Sequence, residues 1–102
     1  MKVNLNVPFV DYKGNPIKDE KGNVTIIADM VAESLFTLAK IDDKRIEPAQ
    51  MVESYKLARR IVEKPDEIEL SAKEIAFIEE LMSKILVVGC YGQLYEILEG
   101  NV

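Results

Sequence analysis

The side chains able to do covalent chemistry are few. Ser34, Ser54, Ser71, Ser83 and Cys90 are the candidate nucleophiles, and the 102-residue chain holds no histidine to serve any of them as a base. Nucleophilic catalysis needs that pairing, because a neutral hydroxyl or thiol is a weak attacker on its own. Ser71-Ala72-Lys73 is explained by helix capping rather than by a Ser–Lys pair. Two carboxylate groups, Asp42-Asp43 and Asp66-Glu67 with Glu69, are candidates for acid–base or metal chemistry. Both fall in expected surface connections, where solvated charge is the default. The alternation of oxygen ligands around a glycine that a calcium loop needs is absent, and so is a zinc set of Cys and His. Gly89-x-x-Gly92 lacks the preceding buried strand and the Gly-Lys-Ser/Thr ending of a phosphate loop. Its surroundings are acidic, which argues against a clamp for single-stranded nucleic acid, and close helix packing is the favoured explanation. No catalytic residue, cofactor site or metal site is expected, and no small-molecule substrate is inferred. The chain is expected not to be an enzyme.

What remains is binding chemistry. Lys56, Arg59, Arg60 and Lys64 recur at helical spacing. Lys56 and Arg60 share a face, Arg59 sits three residues from Lys56, and Lys64 continues the row one turn later. This row suits phosphates or an acidic partner, or else a solvated face paired to Glu53, Glu63 or the acidic last third. Tyr91 and Tyr95 are candidate interface aromatics, as is Tyr55.

The net charge of −5 is uneven. Residues 1–39 carry −1, residues 40–64 carry +2 and residues 65–102 carry −6. The overall sign opposes nonspecific binding to DNA or to an anionic membrane, both of which need a positive field. A single cysteine excludes an intramolecular disulfide framework. Cys90 lies in an apolar run and is expected to be buried and inert. No stretch approaches the roughly 20 apolar residues of a membrane span, and residues 1–6 lack a signal-peptide core. A soluble protein of the cytoplasm is expected.

Elements must position these residues. Val3, Leu5 and Val7 alternate with polar neighbours, the period of a half-buried strand. Two turn signals follow in an imperfect repeat, Lys13-Gly14-Asn15-Pro16-Ile17 and Lys21-Gly22-Asn23-Val24-Thr25. Residues 1–27 are expected to form an irregular β-hairpin with a polar tip. From about Ala28 the period becomes helical, with Val31, Leu35 and Leu38 in line with Ile27. Ile41 to Arg45 is expected to be a connecting loop. Pro48 suits the first turn of a second helix. Its apolar face is expected at Met51 or Val52, Tyr55, Ala58 and Val62, widened by Leu57 and Ile61. Lys64-Pro65 ends it, and 65–70 is expected to be a short acidic connection. Ser71 with Glu74 forms a capping-box pattern for a third helix. Its stripe is Ile75, Ile78, Met82 and Ile85, with Glu79, Glu80 and Lys84 on the wetter side. Leu86 to Leu98 is expected to form a fourth helix, with Val87, Tyr91, Leu94 and Leu98 on one face. Gly89 and Gly92 either separate the last two helices or admit another backbone. Gly100-Asn101 is a stop signal. The expected fold is α+β: one domain over 1–102, with an N-terminal β-hairpin (1–27) and about four short α-helices (28–102) around one core.

Three stretches carry a resemblance. They are Tyr55-Lys56-Leu57-Ala58-Arg59-Arg60-Ile61, then Leu70 to Ile78, then Val87-Val88-Gly89-Cys90-Tyr91-Gly92-Gln93 to Glu99. With the opening strand and Gly14-Asn15-Pro16-Ile17, the chain resembles small uncharacterised proteins encoded in bacteriophages and prophages. The resemblance implies a phage-related, non-enzymatic role in a bacterial host cell and carries no catalytic residue over. The expected activity is contact with a protein partner, in virion assembly or on a host factor, or self-association as a homodimer through the last helix. The alternative is a nucleic-acid-binding module using the basic face of the second helix.

Overall fold

In the computed structural model, which describes residues 1–100, four helices enclose one apolar core. They are α1 (Ile27–Thr37), α2 (Pro48–Glu63), α3 (Ala72–Met82) and α4 (Val88–Glu99). Four two-residue strands accompany them: β1 (Lys2–Val3), β2 (Lys40–Ile41), β3 (Lys44–Arg45) and β4 (Ile68–Glu69). The α+β class is the one expected.

The alternation at the start of the chain holds, with Val3 and Leu5 buried and Lys2, Asn4 and Asn6 exposed. Its strand partner is distant. β1 pairs antiparallel with β4, Lys2 opposite Glu69 and Val3 opposite Ile68. The acidic connection at 65–70 therefore contributes a strand, and Ile68 and Leu70 are core residues.

The repeat is longer in structure than in spelling. Asp11 and Asp19 each accept from two backbone N–H groups, those of Lys13 and Asn15 at 2.9 and 3.0 Å, and those of Lys21 and Asn23 at 2.9 Å each. Gly14 and Gly22 close the two turns at φ +88° and +84°, a backbone region that favours glycine. The turns bring three residues spaced by eight into a closed ring. Ile17 N–H donates to Phe9 C=O, Thr25 N–H to Ile17 C=O, and Phe9 N–H to Thr25 C=O, at 2.9, 2.9 and 3.0 Å. Single bridges at Pro8–Ile26, Val10–Pro16 and Lys18–Val24 flank this ring.

The ring delivers the chain into α1. No side chain caps that helix. Its first N–H groups are met by the opening segment instead, Ile27 donating to Val7 C=O at 2.9 Å and Ala28 to Leu5 C=O at 2.8 Å. Backbone carbonyls of the opening segment thus stand where a side-chain cap would.

Residues 41–45 are not a plain loop. β2 and β3 form a hairpin whose two central residues, Asp42 and Asp43, have φ of 53° and 66°. This is the type I′ geometry that follows the twist of paired strands, more often built from Asn-Gly. The Asp42 carboxylate is held by Lys84 Nζ at 2.5 Å.

Pro48 opens α2, and Gln50 Oε1 accepts from the Glu47 N–H at 3.3 Å. The α3 box forms as its sequence indicates, with Ser71 N–H to Glu74 Oε1 at 2.9 Å and Glu74 N–H to Ser71 Oγ at 3.1 Å. Ile75, Ile78, Leu81 and Met82 are buried, but Ile85 lies beyond the helix end and is exposed. Leu86 and Val87 precede α4 and Val87 and Val88 face outward, while Leu94 and Leu98 are buried as expected, with Tyr91 half-buried beside them. Gln93 ties α4 to the opening segment through both amide atoms, accepting from Val10 N–H at 2.9 Å and donating to Val10 C=O at 2.8 Å. Gly89 and Gly92 lie inside α4, and a Cβ on either would meet no atom within 4 Å. Neither separates two helices nor admits a neighbouring backbone. Gly100 ends α4 in the left-handed conformation, while Asn101 lies outside the described residues.

Candidate functional site

The four basic residues on α2 and at its C-cap do not act together. Arg60 turns toward the last third of the chain, where its guanidinium bridges Glu74 and the Glu69 carbonyl. Burial pushes the Glu74 carboxyl up, but hydrogen bonds from Ser71 and Arg60 outweigh it and leave the group below the ordinary range. Lys64 pairs with Glu67 at 3.4 Å, and Lys2 reaches the same carboxylate at 3.2 Å. The Glu67 carboxyl is held low, first by the Lys2 hydrogen bond and then by the charge of Lys64. Lys56 is exposed and makes no ion pair among the described residues. Arg59 stands apart, donating to the Tyr55 hydroxyl at 2.9 Å with its guanidinium 5.8 Å from the Tyr55 ring centroid.

Tyr91 and Tyr95 lie on α4 with ring centroids 6.2 Å apart. Tyr91 is half-buried against the core and Tyr95 is exposed. Burial, aided by the charge of Glu79, pushes the Tyr91 hydroxyl up. No hydrogen bond, ion pair or aromatic contact joins either ring to the basic residues of α2 among the described residues. Cys90, expected to be buried, is half-buried, and burial raises its thiol.

The apolar face of α2 is the main departure. The residues packed into the core are Leu57, Ala58 and Ile61, with the buried Ser54. Val52, Tyr55 and Val62 point outward, 52%, 44% and 66% exposed. The apolar arc is wide, and packing covers its side with Leu57, Ala58 and Ile61, so that Ala58 alone of the expected face is buried. Phe36 of α1, 62% exposed, joins the outer stripe, its ring centroid 5.9 Å from that of Tyr55. The width of the apolar arc was the available signal: Val52, Tyr55 and Val62 together with Leu57, Ala58 and Ile61 exceed what one helix contact can cover.

The outer stripe borders a groove of about 320 Å³ between α1 and α2. Ala32 and Ala58 form its floor, and Phe36 and Val62 its apolar sides. Asp29 and Glu33 edge it on α1 and Arg59 on α2. Short floor residues between large apolar sides make a concave surface suited to side chains from another molecule. The edge charges set its orientation.

Among the described residues, no group of three or more Cys, Asp or Glu side chains converges as an ion site, and no helix is long and apolar enough to cross a membrane. Compared with family models, with curated proteins and with solved structures, the chain finds no match.

Proposed function

We propose that this chain is a small, non-enzymatic accessory protein of bacteriophage type that works in the bacterial cytoplasm by contact with another protein or with itself. The contact surface is the outer face of the α1–α2 pair. The observation that carries this reading is the exposure of Phe36, Val52, Tyr55 and Val62 on the α1–α2 pair, with Phe36 and Val62 lining the groove and Tyr55 beside Phe36. Scattered exposed apolar residues need no explanation, but aromatic and aliphatic side chains gathered at one concavity are what protein interfaces use. The phage-type origin draws on the resemblance in sequence alone.

Nucleic-acid binding through Lys56, Arg59, Arg60 and Lys64 draws less support. Arg60 and Lys64 are engaged by Glu74, Glu69 and Glu67, and each phosphate contact requires a cation able to displace counterions.

A photo-crosslinking side chain placed at Val62, with one at the exposed turn residue Glu20 as control, tests the surface in cells. A protein adduct at position 62 that Phe36→Asp removes, with none at position 20, supports the reading. No adduct at 62, or equal adducts at both positions, refutes it.

A further inference from the structure

Resting on the assignment of the α1–α2 face as a protein-binding surface, we propose that its occupant is a second copy of this chain. The two copies meet about a twofold axis running along the groove, so that α1 of each lies on α2 of the other.

The edge charges carry this choice. Asp29 and Glu33 are one turn apart on α1, and neither has an ion-pair partner among the described residues. Like charges at this spacing repel and disfavour the isolated helix. Arg59, on the opposite edge, has no carboxylate partner either, and its guanidinium meets only Tyr55. One edge is thus acidic and the other basic across a single apolar groove. A twofold interface brings the same patch together from both copies, so it must be complementary to itself. An axis along the groove places the acidic edge of each copy on the basic edge of the other. An axis across the helices would stack Asp29 and Glu33 on the same carboxylates of the partner.

The apolar residues fit the same arrangement. Ser54 bonds the Leu35 carbonyl and Phe36 touches Tyr55, so the end of α1 lies beside the first half of α2 and the two helices run antiparallel. Rotation about the groove keeps that end of each copy at the same level. Phe36 then meets the Tyr55 and Val52 surface of the other copy, and four antiparallel helices pack as a bundle. At 1.5 Å per residue, helices of 11 and 16 residues are about 16 and 24 Å long. A face of that size falls at the lower end of specific interfaces, where about 800 Å² per partner is standard. Weak, concentration-dependent association is the expected behaviour of a face at the small end of that range.

Sedimentation equilibrium of the full chain, from about 5 to about 500 µM, tests this. The expected mass rises from 11.5 kDa toward twice that value. Arg59→Glu and Glu33→Lys each set like charges against one another and are expected to weaken self-association by about tenfold or more. Mixed in equal amounts, the two variants restore both opposite-charge contacts, and association returns to within about threefold of wild type. Both positions are exposed, so circular dichroism is expected to show unchanged helix in each. A wild-type chain that stays monomeric at the highest concentration overturns the second copy as occupant, and so does a mixture that fails to recover. The crosslink at position 62 separates this failure from a failure of the binding surface. An adduct with a different protein there keeps the surface and overturns only the homodimer.

Discussion

Ser54 Oγ donates to the Leu35 carbonyl oxygen at 2.6 Å and is the one buried polar side chain among the described residues. Leu35 lies in the last turn of α1, where carbonyls have lost their helical donors. The bond therefore closes an orphan acceptor and ties α1 to α2 beneath the exposed groove. Ser54→Ala is expected to destabilise the chain by about 1–2 kcal/mol, since the carbonyl stays buried without its donor. The urea midpoint is the measurement. An unchanged midpoint would mean that water reaches the Leu35 carbonyl.

The glycines divide into two classes with opposite expected signs. At Gly14 and Gly22 the positive φ penalises any side chain, and Gly→Ala is expected to cost about 1–2 kcal/mol at each. Gly89 and Gly92 have ordinary helical backbone with open space at the Cβ position. Gly89→Ala and Gly92→Ala are each expected to stabilise by about 0.4–1 kcal/mol through the lower entropy of the unfolded chain. Thermal melts of the four variants decide it.

Glu79 predicts an unusual pH dependence. The sequence places it on the wetter side of α3, yet it is half-buried and its Oε2 atom has no hydrogen-bond partner among the described residues. Burial, and then the neighbouring Glu99 carboxylate, push its pKa from 4.5 to about 7. Tyr91 is the other titratable group near it. Between pH 4.5 and about 7 the folded chain holds the extra proton, so the contribution of Glu79 to stability falls as pH rises through that window. Below the window the penalty is absent, and above it the penalty is complete. Glu79→Gln is expected to raise the melting temperature at pH 8, leave it nearly unchanged at pH 4, and flatten the slope between. An equally steep slope in the variant would assign the dependence elsewhere.

The basic row predicts a split in stability effect between Arg60 and Lys56. Arg60→Ala removes the bridge from α2 to Glu74 and the Glu69 carbonyl. With 42% of the Arg60 side chain still open to solvent, the expected loss is about 1 kcal/mol. Lys56 is exposed and makes no ion pair among the described residues, and Lys56→Ala is expected to fall within about 0.5 kcal/mol of wild type. Chemical denaturation of both variants at low and high salt checks the contrast. Only the Arg60 loss is expected to shrink as salt rises.

What the sequence determined by itself is what neighbouring residues settle between themselves. Ser71 and Glu74 are three apart and cap α3 whatever surrounds them. Pro48 opens α2, and Lys13-Gly14-Asn15 and Lys21-Gly22-Asn23 each make a turn. The helical periods of α1 and α3 follow from side chains repeating every three or four positions. Tertiary structure decided the choices in which two local solutions are nearly equal or the partner is remote. β1 finds β4 across more than sixty residues because Ile68 and Leu70 need the same core as Val3 and Leu5. Along α2 the apolar arc is wider than one contact can cover, and the shared core takes the side with Leu57, Ala58 and Ile61. Val52, Tyr55 and Val62 are thereby left outside, and the candidate site exists because of that exclusion. Glu79 and Arg60 follow the same logic: each local pattern reads as a solvated charge, and the packing of a later segment against it makes one a half-buried carboxylate and the other a bridge. Local spacing fixes which faces a helix has, while the volume available in a shared core fixes which of them is covered.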